Sequence, residues 1–161
     1  MATRSFMANE GQELVLTRVF DAPRELVFKV WTDPKHVARW WGPHGFTNPV
    51  CELDLRPGGA ILIHMRGPNG VVYPMTGVFQ EIVLPERLVF TSAALDSHGN
   101  PMFEMLTTVT FAEESGKTKQ ILRTRVIKTT PQAAPYIAGM EQGWIQSLER
   151  LTAYVATQSK E

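Results

Sequence analysis

His64 and Tyr73 are the side chains whose sequence surroundings come nearest to acid–base chemistry. They lie in "AILIHMR" (60–66) and "VVYPMTGVF" (71–79), two runs of apolar residues. An imidazole or phenol enclosed by such residues can orient or protonate a bound molecule. Alternation leaves two outcomes for His64. With Ile61, Ile63 and Met65 facing inward, His64 faces water; with the register reversed, it titrates inside an apolar space. His36, His44 and His98 show no HxH or HxxxH spacing and Cys51 has no nearby partner, so neither a metal site nor a cofactor is expected. There is no GxSxG, no P-loop, no GxGxxG after a strand, and no Ser/His/Asp or Cys/His set. "GPNG" (67–70) is a hairpin turn and not a phosphate cradle, since no helix follows it. Catalysis is left with two weak candidates, His64 and Tyr73.

A larger set of residues points to apolar binding. In "RWWGPHGF" (39–46), two tryptophans precede a Gly-Pro pair that stops helices. Either Trp40 and Trp41 both seal a seam between short helices and a sheet, or one of them edges a cavity under the Pro43–Phe46 loop. Met65, Met75, Met102, Met105 and Met140 all fall within strand or helix patterns. Methionine is flexible and polarizable; it fills irregular cores, or it lines sites for apolar ligands of varied shape. Alternation places Tyr73, Met75 and Phe79 on one strand face, and Phe103, Met105, Val109 and Phe111 on one face of a neighbour. With Leu88 and Phe90 they form a candidate concave surface. Glu104, Arg123 and Arg125 alternate with apolar neighbours and are expected to face water.

These residues need elements to hold them. The chain has 161 residues, 43% hydrophobic and 20% charged, which suits one domain burying roughly 68–70% of its unfolded surface. Sixteen basic residues balance sixteen acidic ones, so no broad surface for nucleic acid or anionic lipid is expected. No apolar run is long enough for a membrane span. The start, "MATRSFMANEGQE", lacks the apolar core of a secretory signal. A lone cysteine rules out an internal disulfide, and a cytoplasmic protein is expected. Residues 1–11 read as a flexible leader and 12–158 as a single domain.

"ELVLTRVF" (13–20) reads as a strand. "DAPRELVFKVWTD" (21–33) reads as a short amphipathic helix with Asp21 as cap and Pro23 in its first turn. "DPKHVARWWGP" (33–43) repeats the device, with Asp33 capping and Pro34 opening. Strand patterns follow near 46–56, 59–66, 71–83, 87–95, 102–112 and 119–129, separated by compact turns that favour an antiparallel meander. From Pro135 onward, Ile137, Met140, Trp144, Leu148, Leu151 and Val155 form one apolar stripe, predicting a continuous helix of about six turns. Glu141, Gln142, Glu149 and Arg150 are assigned to its other side.

Strand, two short helices, six strands and a long helix is an α+β order that resembles the helix-grip fold of the SRPBCC (START-like) superfamily. In it, a curved antiparallel sheet of about seven strands wraps a long C-terminal helix. "TRVFDAPRELVFKVWTDP" (17–34), "RWWGP" (39–43), "RPGG" (56–59), "MRGPNG" (65–70), "GVFQEIVLPERLVFT" (77–91) and "GMEQGWIQSLERL" (139–151) are similar to words of one bacterial family within it. Its members are homologues of the C-terminal domain of the activator of heat-shock protein 90 ATPase. The resemblance spans about residues 12 to 156 and implies that Trp144, beside Gly143, faces the hollow of the sheet.

Since this superfamily hosts carriers, cyclases, hydrolases and co-chaperone modules, the activity has to come from the site. The favoured expectation is a carrier of an apolar or aromatic small molecule between the sheet and the last helix. Its ligand-binding residues would be Trp41, Phe46, Tyr73, Met75, Phe79, Phe90, Met105, Met140 and Trp144, with the segment after Gly42-Pro43 as a movable flap. The second expectation is a stress-response module that partners a chaperone ATPase. It ranks behind because the chain leaves no room for the separate N-terminal domain of the eukaryotic activator. The third is a cavity enzyme using His64 or Tyr73. A homodimer stays open.

Overall fold

The computed structural model describes residues 13–158; the leader expected at 1–11 lies outside the described residues. Strand β1 (Glu13–Phe20) runs into helices α1 (Arg24–Thr32) and α2 (Pro34–Trp40). Six strands follow: β2 (Thr47–Leu53), β3 (Ala60–Arg66), β4 (Val72–Val83), β5 (Arg87–Leu95), β6 (Pro101–Glu114) and β7 (Lys117–Thr129). A 3-10 turn (Pro131–Ala133) and a short helix α3 (Ala134–Ala138) precede α4 (Met140–Gln158).

The strands form one antiparallel sheet in the order β1-β7-β6-β5-β4-β3-β2. From β2 to β7 each strand pairs with its sequence neighbour, the meander that the compact turns favour. The turn between β6 and β7 shows the local cause. Ser115 (φ 53°) and Gly116 (φ 79°) are both left-handed, the condition for a hairpin whose twist matches its strands. Gly77 is demanded by crowding, since a Cβ there would lie 2.1 Å from the Thr91 carbonyl oxygen of β5. β1 departs from the meander and pairs with β7, from Glu13 opposite Arg125 to Phe20 opposite Thr118. Consecutive strands β1 and β2 are therefore opposite edges of the sheet, and α1 and α2 carry the chain between them.

Asp33 caps α2 as its type predicts, accepting the Lys35 N–H at 2.9 Å, and Pro34 occupies the first turn. Asp21 does not cap α1. The N-cap position falls on Pro23, and no side chain bonds there. The expected continuous C-terminal helix is likewise corrected: the chain breaks at Gly139, between α3 and α4. Glycine is the residue that loses most backbone freedom in a helix, so a break is least costly there. The apolar stripe survives the break, with Ile137, Leu148, Leu151 and Val155 fully buried or nearly so. Glu141 is also buried, contrary to its assignment to the polar side, and its Oε2 has no partner. Its spacing explains this: four residues after Ile137 and three before Trp144 put it on the same face. Arg123 and Arg125 are exposed as expected; Glu104 is half-buried, 3.8 Å from Lys128.

Candidate functional site

The inner face of the sheet and α4 enclose a space that is filled at one end and hollow at the other. At the filled end Trp31, Phe79, Leu88, Phe90, Val109 and Phe111 from α1 and the strands are buried against one another in a core that also takes in Leu148 and Leu151 of α4. At the other end lies a cavity of about 380 Å³. Strands β3 to β6 supply Met65, Tyr73, Met75, Ser92, Ala94, Met102, Phe103 and Met105; α4 supplies Met140, Gly143, Trp144 and Ser147. The segment after α2 supplies Trp41, Gly42, Pro43 and Phe46, and exposed Tyr136 of α3 stands at the rim.

Every methionine among the described residues lines this cavity. The four tryptophans form one cluster that divides the filled end from the hollow. Trp31 packs edge-on against Trp40 (centroids 4.7 Å apart) and stacks on Trp144 at 6.2 Å; Trp41 meets Trp144 at 5.5 Å. The adjacent pair of the sequence divides its labour. Trp40 is fully buried and donates its indole N–H to the Val30 carbonyl at 2.8 Å. Trp41 is half-buried and forms cavity wall. Sealing and lining, the two alternatives the sequence offers for this pair, are both realised, one by each ring.

Of the nine residues expected to bind ligand, Trp41, Phe46, Tyr73, Met75, Met105, Met140 and Trp144 are brought around the cavity. Phe79 and Phe90 are not. They pack on each other edge-to-face at 6.4 Å in the filled end. All share the concave face, but Trp31 and Trp41 pack against Phe90, each with ring centroids 6.4 Å away, and occupy the space in front of the pair. For His64 the first of the two outcomes left by alternation holds. Ile61 and Ile63 are buried inward and Met65 lines the cavity, so His64 projects from the opposite face. Tyr73 lines the cavity without an imidazole beside it. Among the described residues no group of three or more His, Cys, Asp or Glu side chains is placed to hold a metal ion.

The segment expected to be a movable flap is clamped. Arg150 of α4 donates through Nη1 to the carbonyls of Trp41, Gly42 and Pro43, each at 3.0 Å, and through Nη2 to that of Arg39 at 3.2 Å. These are carbonyls at and beyond the end of α2, which the helix itself leaves without partners. Burial of the guanidinium lowers its pKa from the ordinary arginine value. Around it, the His44 N–H donates to Gln146 Oε1 at 3.1 Å and His44 Nε2 lies 2.9 Å from Glu149 Oε1. Sequence reasoning missed Arg150, assigning it to a solvated face; its partners lie in a segment far away in the chain. Cys51 on β2 is half-buried; burial, then the neighbouring Glu52 charge, push its thiol up to about 11.

An antiparallel seven-stranded sheet that grips a C-terminal helix around an apolar cavity defines a helix-grip protein of the SRPBCC class. Within that class the chain belongs to the family described as activator of Hsp90 ATPase homolog 1-like protein, whose match covers residues 21–156. Solved structures agree. A protein from Nitrosomonas europaea is similar at 26% identity with a TM-score of 0.76, covering 92% of this chain and 97% of that one. A protein from Chromobacterium violaceum shows 31% identity and a TM-score of 0.73 over 89% and 96%. The AHSA1 protein from Silicibacter pomeroyi shows 26% identity and 0.76 over 91% and 99%. No curated protein matches the chain. Among the described residues, no helix is long and apolar enough to cross a membrane.

Proposed function

We propose that this protein is a cytoplasmic carrier that encloses a hydrophobic or aromatic small molecule between its sheet and α4. The observation that supports this reading is the cavity of about 380 Å³ walled by Trp41, Trp144, Phe46, Phe103 and the methionines. Burial of apolar ligand surface supplies roughly 25 cal/mol per Å², offset by the motion lost on association. Unbranched methionines adjust to the outline of the guest. The test is native mass spectrometry of protein purified from cells, with titration of the uncharged dye Nile red. Saturable one-to-one binding, reversed by a competing aromatic compound, is expected. Binding no better than millimolar ends the proposal.

The family description supports a second reading, a module that acts on the Hsp90 ATPase. Stimulation of that ATPase by the protein, measured with the chaperone of the same host, would promote it over the carrier. An enzyme of the cyclase or hydrolase kind has less support, because His64 and Tyr73 stand on opposite faces of the sheet and do not form an acid–base pair.

A further inference from the structure

We infer that the cavity takes an uncharged ligand of about two to three fused rings that carries an oxygen acceptor, and that it rejects the carboxylate of the same skeleton. This rests on the carrier reading and adds the chemical class of what is carried.

The lining carries no formal charge: none of its side chains is Asp, Glu, Lys, Arg or His. Arg150, behind the Trp41–Pro43 segment, already spends its donors on four backbone carbonyls. A carboxylate entering this space would leave water without meeting a counter-charge, and that desolvation costs several kcal/mol.

The polar groups that are present lack protein partners. Ser147 is only 6% exposed and lines the cavity. A serine or threonine inside a helix commonly donates back to the carbonyl four residues earlier, as Thr152 does to Leu148 at 2.8 Å. The Ser147 hydroxyl makes no bond within the described residues, and neither do the hydroxyls of Tyr73 and Ser92, which line the same cavity. The indoles divide in the same way. Trp31 donates to Gln120 Oε1 at 2.7 Å and Trp40 to the Val30 carbonyl. Trp41 and Trp144, the two that line the cavity, donate to no atom of the described residues. Indole N–H is a donor only, and a hydroxyl can donate. All five of these groups can donate and the two indoles can do nothing else, and a ketone, quinone or phenol oxygen is the neutral group that answers them.

Size follows from volume. An engineered cavity of about 150 Å³ takes up benzene, and the space here is about two and a half times that. Thioether sulfurs favour aromatic edges, and the methionines are spread around the whole wall.

The experiment uses three molecules of one size: naphthyl methyl ketone, ethylnaphthalene and naphthoate, titrated calorimetrically into the whole protein at neutral pH. The ketone is expected to bind about tenfold more tightly than either of the others, the worth of one good buried hydrogen bond. Ser147→Ala, or Tyr73→Phe as a second variant, should bring the ketone down toward ethylnaphthalene and leave ethylnaphthalene unchanged. Naphthoate binding as tightly as the ketone overturns the claim of neutrality. Ethylnaphthalene matching the ketone, with both variants silent, overturns the acceptor claim and leaves the carrier reading intact. If none of the three binds, the carrier reading falls with it.

Discussion

The two ends of the space beneath α4 are built from the same sheet face and the same helix, yet one is solid and the other hollow. At the filled end the side chains are branched or aromatic, such as Leu88, Phe90, Leu148 and Leu151, and α1 adds Trp31 as a further wedge. At the hollow end the facing positions are short or slender: Ser92, Ala94, Gly143 and Ser147. Short side chains at these positions leave open what branched and aromatic ones fill at the other end. Close packing is the default of protein interiors. Small residues set among the methionines, on the sheet and on α4 alike, are how this chain departs from it.

The sharpest way to break that contrast is to make the filled end hollow. Leu148→Ala should destabilise the protein by about 2–5 kcal/mol, measured by urea unfolding, because the fully buried site cannot collapse around the loss. A loss below about 1 kcal/mol would show that both ends are equally loose.

Next in size is the clamp that fixes the rim. Arg150→Ala should cost about 1.5–3 kcal/mol, since it strips a charged donor from a set of carbonyls. Arg150→Lys should recover little of it, because one ammonium cannot reproduce the planar fork. Hydrogen exchange at residues 41–46 should accelerate in both variants; unchanged protection there would mean that the segment holds itself.

Filling the hollow end should act with the opposite sign. Ala94→Leu is expected to stabilise by about 0.5–2 kcal/mol, as cavity-filling substitutions do, and to abolish Nile red uptake. Destabilisation would mean that the space is already committed to a shape that an extra side chain disturbs.

The smallest effect at neutral pH is at Cys51 on the edge strand β2, half-buried against the core. Its thiol titrates near 11 in the folded chain against 9.0 for an unperturbed thiol. A group held protonated in this way favours the unfolded chain once pH exceeds the unfolded pKa. Its influence should therefore be nil below about pH 8 and lower stability as pH rises from about 9 to 11. Alkylation by iodoacetamide at pH 8 should be slow when folded and fast in urea; equal rates would refute the burial.

Much of this was legible from residues alone. Strand alternation, the turn residues and the Asp33-Pro34 start put the elements within about three residues of their positions, because each signal acts over a few neighbours. The phase of Ile63 against His64 could be narrowed but not fixed, since alternation is indifferent to which face is inside. Phe79 and Phe90 were misplaced for a related reason. Shared-face logic is right along a strand, but it carries no information on how closely a distant helix approaches each position. Glu141 was readable from its spacing to Ile137 and Trp144 and was overridden by its charge.

Sequence by itself determined the local grammar of this protein: which segments extend, which coil, where they turn, and which residues are apolar enough to face inward. Those follow from steric and hydrophobic preferences that a residue exerts on its immediate neighbours. Only the tertiary structure decided that the inward residues leave a chamber at one end, that Arg150 ties the rim to α4, and that His64 looks away. These are consequences of distances between segments far apart in the chain, set by the packing of the whole.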